Sequence, residues 1–337
     1  MDTLTHSRRS FLETATLGSI GLGLLAHTRT QASGVLAEQG KRVGIIGLDT
    51  SHSTAFTKVL NADNPKPEYQ GYKVVTAYPY GSREIETSAS RIPGYIEEVK
   101  KHGVQIADSI DDLLKQVDVV LLETNDGRLH REQAIQVLKA GKRVFIDKPI
   151  AASLEDVLAI FEASKKYKIP LFSASSLRYT NGIAGIGKSK VVGADTFSPA
   201  SLEKTHPDLF WYGIHAVEPL FTVMGTGCRE VVRVNTPGTD IVVGTWNDGR
   251  VGTIRGTRTG KSGYGGIVFT QDGNVNLGPY AGYEPLLVEI IKYFETGQVP
   301  VRPEETIEMF AFMEAADESK RRGGAAVSLE SVLGKAK

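Results

Sequence analysis

Between Lys41 and Pro149 the sequence alternates short β-branched or apolar runs with segments of helical pattern, and this alternation restricts the chain more than any other feature. Arg42-Val43-Gly44-Ile45-Ile46-Gly47 reads as a strand closing on a turn, and Ser51 to Leu60 follows as a helix with Ser or Thr available as its N-cap. Tyr72 to Tyr78 is a second strand, stopped by Pro79. Ile92 to His102, ended by Gly103, and Ser109 to Gln116, capped by Ser109, read as helices on either side of a short strand at Val104 to Ala107. Val117 to Leu122 is a near-continuous apolar strand of the kind buried on both faces. Arg131 to Ala140, ended by Gly141, is a helix, and Arg143 to Ile146 is a further strand. Strands joined through helices pair in parallel, so the segment reads as βαβ units in a Rossmann-type, doubly wound parallel sheet of the α/β class.

After Pro149 the pattern changes. Ser153 to Lys166 is one amphipathic helix, followed by alternating segments at Glu230 to Val234, Asp240 to Trp246, Arg250 to Arg258 and Gly266 to Thr270. Asn247-Asp248-Gly249 is a hairpin turn between two of them. Pro285 to Phe294 and Glu304 to Arg321 close the chain as helices. The expected organisation is a dinucleotide-binding domain over 41–150 and an α+β substrate domain over 151–330, built on an open, mainly antiparallel sheet. The open face of that sheet is a natural surface for a homo-oligomer.

Of 337 residues, 41% are hydrophobic, enough for a large core. Lys plus Arg and Asp plus Glu both number 39, so no long-range positive field gathers a phosphate backbone, and nucleic acid is excluded as a partner. Cys228 is the only cysteine, which excludes an intramolecular disulfide and a thiolate metal cluster.

The first residues carry their own pattern. Ser7-Arg8-Arg9-Ser10-Phe11-Leu12 precedes an uncharged stretch, Ala15 to Ala26, that is too short to span a bilayer, and a polar segment then leads to Ala32. The paired arginines, the Gly-containing h-region and Arg29 resemble a twin-arginine signal over residues 1–32. The resemblance implies engagement of the twin-arginine export machinery, cleavage after Ala32, a periplasmic location without stable membrane insertion, and a mature charge of about −1. That route carries folded proteins, so a cofactor loaded before export fits it.

Three motifs carry chemistry. The first is Gly44-Ile45-Ile46-Gly47-Leu48-Asp49-Thr50-Ser51-His52, a strand-turn-helix in which glycine lets backbone N–H groups approach a pyrophosphate at the helix N-terminus. The second and third glycines of G-x-G-x-x-G are missing, and Asp49 is expected near the diphosphate. Gly44, Gly47, Thr50 and Ser51 are the cofactor candidates here. After the second strand, where an acid usually meets the ribose of NAD, the chain has Tyr78-Pro79-Tyr80-Gly81-Ser82-Arg83. Ser82 and Arg83 can meet a 2′-phosphate instead, so NAD and NADP both remain open.

The second is Asp147-Lys148-Pro149 at the carboxyl end of a parallel strand, which points an ammonium into the cleft where such sheets bind ligands. The third is Trp211-Tyr212-Gly213-Ile214-His215-Ala216-Val217-Glu218. With Thr124-Asn125-Asp126-Gly127-Arg128-Leu129-His130 and Val137 to Lys142, these motifs resemble the Gfo/Idh/MocA oxidoreductases from Arg42 to the C-terminus, including Val299 to Leu329.

The resemblance reads Asp147-Lys148-Pro149 as the family's E-K-P, and implies that Lys148 binds a substrate hydroxyl while Pro149 shapes the cofactor cleft. It reads 211–218 as D-x-G-x-H-x-x-D, with His215 the general base, Glu218 in place of the last Asp and Trp211 in place of the first. It places Thr124 and Asn125 beside the cofactor and Arg178 and Tyr179 at the start of the substrate domain. Tyr264 and Tyr283 either line a sugar pocket or pack in the sheet.

His52, His130, His206 and the His215/Glu218 pair show no spacing that enforces a metal site, with or without Asp49, and none is expected. The implied activity is NAD(P)-dependent hydride transfer with a sugar or polyol hydroxyl, the cofactor tightly held. Two alternatives stay open: a non-redox sugar-binding or regulatory protein on the same fold, and a sugar lyase or hydratase that works by transient oxidation.

Overall fold

The first sheet has six parallel strands, and the computed structural model describes residues 40–336 of the chain. The expected twin-arginine signal over residues 1–32 lies outside the described part of the chain. Its elements follow in order: β1 (Arg42–Ile46), α1 (Ser51–Leu60), β2 (Lys73–Tyr78), α2 (Glu86–Ala89), α3 (Ile92–Lys100), β3 (Gln105–Ile106), α4 (Ile110–Leu114), β4 (Val119–Leu122), α5 (Gly127–Lys139), β5 (Arg143–Ile146), α6 (Leu154–Tyr167) and β6 (Phe172–Ser173). The strand order is β3-β2-β1-β4-β5-β6, so the direction of winding reverses between β1 and β4. Ligands of open α/β sheets bind at the carboxyl ends of the strands flanking such a point.

Successive side chains of a strand point to opposite faces, and β4 feeds two cores in this way. Val119 and Leu121 pack with Val43 and Phe145, and with Leu286, Leu287, Ile290 and Phe294 of a helix from far along the chain. Val120 and Leu122 join Ile146 and, through one continuous cluster, Leu220, Trp246 and Phe312. Each fully buried side chain of this kind contributes about 1.5–3 kcal/mol relative to exposure. The parallel sheet thus draws its last strand from beyond residue 150 and part of its cover from beyond residue 280.

The later elements are β7 (Val191–Pro199), α7 (Ile214–Met224), β8 (Cys228–Thr236), β9 (Thr239–Trp246), β10 (Val251–Thr257), β11 (Gly265–Thr270), β12 (Gly273–Leu277), α8 (Glu284–Thr296), α9 (Pro303–Arg321), β13 (Val327–Ser328) and α10 (Leu329–Ala336). The second sheet runs β12-β11-β7-β10-β9-β8-β13. It is mixed and mostly antiparallel, with β7 and β10 the parallel pair. The expected Asn247-Asp248-Gly249 turn joins β9 to β10, with Gly249 at φ 85°. Helix α7, buried along its whole length, covers one face. The other face leaves Val192, Phe197, Val251 and Ile267 exposed.

Candidate active site

The turn after β1 is built around a close approach. Gly47 has φ +92°, and a Cβ there would stand 2.5 Å from the Thr124 backbone. The Gly47 and Leu48 N–H groups donate to Tyr78 O and Pro79 O at 2.8 and 3.0 Å, which ties the turn to the end of β2. Asp49 is fully buried. Its Oδ1 accepts the Asn125 N–H at 3.0 Å, and Oδ2 is pressed against Gly81, where a Cβ would lie 2.1 Å away. Burial pushes its pKa up to about 7. The carboxylate expected beside a diphosphate is instead turned away from ligand space, where it joins the chain segments that follow β1, β2 and β4.

A cavity of about 480 Å³ opens at this point, within the usual range for small-molecule sites. It runs from Thr50 and Ser51 at the N-terminus of α1, past Arg91, Asn125 and Lys148, to Trp211, Tyr212 and His215. The first turn of α1 holds no acidic residue and Thr50 makes no side-chain cap, and Thr50, Ser51 and His52 bring this end of the helix to the cavity wall. Thr50 Oγ1 is buried without a hydrogen-bond partner, as is Thr124 Oγ1 behind the wall. A helix N-terminus, the orphan Thr50 hydroxyl and the Arg91 guanidinium fit the diphosphate of a nicotinamide dinucleotide.

Lys148 follows β5, its ammonium 3.8 Å from Asp147 Oδ2. His215 lies in the first turn of α7, entered through a π-helical turn at Leu209–Gly213. Its Nδ1 is 3.2 Å from Ser175 Oγ, which leaves Nε2 for the cavity. Burial, then the neighbouring Lys148 and His52, drives its pKa well below the ordinary value, so the ring is neutral near pH 7. Four tyrosines line the same wall. Tyr212 and Tyr264 share a 3.1 Å hydroxyl contact, Tyr280 bonds Ser176 Oγ at 2.8 Å, and Tyr283 bonds Ser51 Oγ at 3.1 Å.

The sequence candidates divide. Thr50, Ser51, Asn125, Lys148 and His215 line the cavity together, and so do Tyr264 and Tyr283. Thr124 is buried at the Gly47 approach, and Pro149, joined to Lys148 by a cis peptide bond, packs near Gly127. Gly44 is a packing position, since a Cβ there would meet Leu113 at 2.7 Å. Ser82 is turned inward and accepts the Glu84 N–H, while Arg83 lies over Tyr80 and lines a separate cavity of about 350 Å³ with Tyr78 and Asp108.

Arg178, Tyr179 and Glu218 do not line the cavity. Arg178 Nε meets Glu218 Oε1 at 2.9 Å and its Nη1 meets Glu305 Oε1 at 2.7 Å. Glu218 Oε2 accepts the Ser175 N–H at 2.7 Å. One helical turn beyond His215, Glu218 therefore faces the interior, and the pair braces the segment that carries Ser175. His130 is likewise a brace, with Nε2 2.6 Å from Thr124 O. His206 sits 3.5 Å from Asp126 Oδ1.

Residues the sequence reading passed over include Arg91, Ser175, Ser176 and Tyr280, which stand in loops or short helical turns without periodicity. Glu123 was also passed over, although an acid directly after the apolar run of β4 is a visible signal. It is fully buried beside Asp147 and His52. Burial and the Asp147 charge push its carboxyl well above the usual range, whereas His52 and Lys148 outweigh the burial of Asp147 and hold that carboxyl low.

Residues 41–174 match the oxidoreductase family with an NAD-binding Rossmann fold, Gfo/Idh/MocA. Over 83 residues the chain is 32% identical to an uncharacterized oxidoreductase of Streptococcus pneumoniae, covering 24% of this chain and 22% of that protein. Over 125 residues it is 30% identical to inositol 2-dehydrogenase 3 of Saccharopolyspora erythraea, covering 36% and 32%. These matches span between a fifth and a third of the relatives' own length. The fold is shared with scyllo-inositol dehydrogenase from Lactobacillus casei, solved with NAD(H) and scyllo-inositol. That likeness has a TM-score of 0.68 at 14% identity and covers 86% of this chain and 99% of that one.

Proposed function

From the match of residues 41–174 to the Gfo/Idh/MocA oxidoreductase family, we propose that the protein is an NAD(P)-dependent oxidoreductase acting on a hydroxyl of a sugar or polyol. The observation that carries this reading is the convergence of Lys148, His215 and four tyrosines on one cavity that also reaches the N-terminus of α1.

The α1 N–H groups, with Arg91, would hold the diphosphate, and Thr50 would supply a hydroxyl to the bound dinucleotide. A nicotinamide held there would supply the hydride acceptor for oxidation of a secondary alcohol, or the hydride for the reverse reduction. Lys148 holds the substrate oxygen and stabilises negative charge on it. In the oxidative direction His215 Nε2 takes the hydroxyl proton as the C–H bond breaks and the carbonyl forms. Ser175 fixes the ring by accepting from Nδ1–H, the tautomer that leaves Nε2 basic. Tyr212, Tyr264, Tyr280 and Tyr283 offer ring faces to C–H surfaces and hydroxyls to the remaining oxygens, a combination that suits a polyhydroxylated ligand.

The Arg8-Arg9 pattern supports export by the twin-arginine route to the periplasm. There a retained cofactor, reduced and reoxidised in place, needs no free pool. Tyr78 and Pro79, standing where an acid usually meets the ribose, favour the second reading of a non-redox sugar-binding protein.

Replacing Lys148 by Ala separates the two. The oxidoreductase reading expects turnover of polyols to fall by roughly 10²–10⁴ with dinucleotide binding retained. Turnover unchanged in the variant contradicts the role given to Lys148, and a wild type that binds sugars but never turns them over favours the second reading.

A further inference from the structure

We propose that His52, Glu123 and Asp147 form a binding site for one divalent transition-metal ion at the floor of the cavity. His52 Nδ1 lies 3.0 Å from Asp147 Oδ1 and 3.8 Å from Glu123 Oε2. One ligand atom from each of the three residues falls within 4.8 Å of the others. Ligands about 2.0–2.2 Å from a tetrahedral ion stand about 3.3–3.6 Å apart, a spacing that the two His52 distances bracket.

The second observation is independent of that proximity. Both oxygens of Glu123 and Oδ2 of Asp147 are buried and lack any hydrogen-bond partner. Both carboxylates have no solvent exposure at all. Buried carboxylate oxygens left without a partner are costly in a folded protein unless something satisfies them. Lys148, 3.8 Å from Asp147, reaches only one of the two acids at ion-pair distance.

The positions come from the fold. Glu123 follows β4 and Asp147 follows β5, so neighbouring parallel strands present both acids at their carboxyl ends. His52 stands where a dinucleotide-binding turn places its third glycine, and there its ring reaches across to both acids instead of leaving space for close helix packing. Tyr283 holds that ring edge-on, with centroids 4.4 Å apart. One nitrogen and two carboxylates suit Zn²⁺, Mn²⁺ or Fe²⁺ in preference to a soft thiophilic ion.

Among the three ligands, only His52 lines the cavity, beside Lys148. The site does not depend on the redox reading, because its test is binding.

The full mature chain, treated with chelator and dialysed, is titrated calorimetrically with Zn²⁺ and with Mn²⁺. The expected result is one equivalent bound in the wild type, with affinity at least roughly 100-fold weaker in Glu123→Gln and in Asp147→Asn. X-ray absorption of the Zn²⁺-loaded wild type should report one imidazole nitrogen among oxygen ligands, and this readout stands even if a variant fails to fold. A wild type that binds neither ion saturably overturns the proposal and leaves the two acids sharing a proton. Stoichiometric binding that both folded variants retain unchanged overturns it as well.

Discussion

Ser175 Oγ stands 3.2 Å from His215 Nδ1, and the Ser175 N–H donates to Glu218 on the same helix as His215. The orientation of the proposed base is thus set by a residue that precedes the Ser176–Tyr179 helical turn, which is itself anchored one helical turn further along α7. Ser175 is a positioning residue. Replacing it by Ala should lower kcat about tenfold, equivalent to about 1.4 kcal/mol, with KM little changed. A KM effect with kcat intact would contradict that role.

The pH profile should carry the mark of a buried base. Burial and the neighbouring Lys148 and His52 depress the His215 pKa, so the ring stays unprotonated below the ordinary histidine range. The oxidative rate should remain level as pH falls through about 6.5 and decline only in more acid solution. An acid limb centred at or above 6.5, measured as kcat/KM in the oxidative direction, would contradict the assignment.

Asp49 makes a separate prediction about stability. Its folded-state pKa, raised to about 7, lies above the unfolded value, so the folded state holds the extra proton between the two. Its contribution is fully present in acid below the unfolded pKa and is lost as pH rises through about 7. Asp49→Asn keeps an acceptor for the Asn125 N–H and removes the titration. Its Tm should therefore change less than that of the wild type between pH 5 and pH 8, a comparison made by calorimetry on both proteins in matched buffers. Parallel Tm curves would contradict the cause assigned to the shift.

Arg178 and Tyr264 should part company. Arg178 joins two buried carboxylates beneath the cavity, and Arg178→Met leaves both without their cation, a loss of about 3–5 kcal/mol in unfolding free energy. Tyr264→Phe removes one cavity hydroxyl and should raise KM for the polyol with little change in Tm. Denaturant melts and steady-state kinetics on both variants distinguish bracing from substrate contact. An Arg178→Met protein of normal stability and raised KM would restore Arg178 to the substrate site.

Much of the Rossmann sheet was legible because its signals are local. Ser51 to Leu60 carries a helical pattern and Arg143 to Ile146 a short apolar run, and the structure reproduces both spans. Strand β7 was not legible. Gly193, Asp195, Ser198 and Pro199 interrupt its alternation, and only pairing with β10 and β11 makes it a strand. Lys148 was readable as a cleft residue because it follows a strand end, whereas His215 was picked out only through the resemblance of 211–218 to a family motif. Arg178 and Glu218 were not separable from them in sequence. Whether a charged side chain faces a cavity or an ion partner depends on Glu305, more than 80 residues away in the chain. Asp49 shows the same limit, since Gly81 and Asn125 decide that its carboxylate turns inward.

The central claim is that the α1 N-terminus and the Lys148–His215 cavity serve one nicotinamide dinucleotide. The most direct measurement is to denature the protein purified from its native compartment, identify any released nucleotide by mass and absorbance, and titrate the emptied, refolded chain with NAD⁺ and NADP⁺. A nicotinamide dinucleotide is expected to be released near one equivalent, or one of the two to bind the emptied chain saturably. A protein that releases none and binds neither would contradict it.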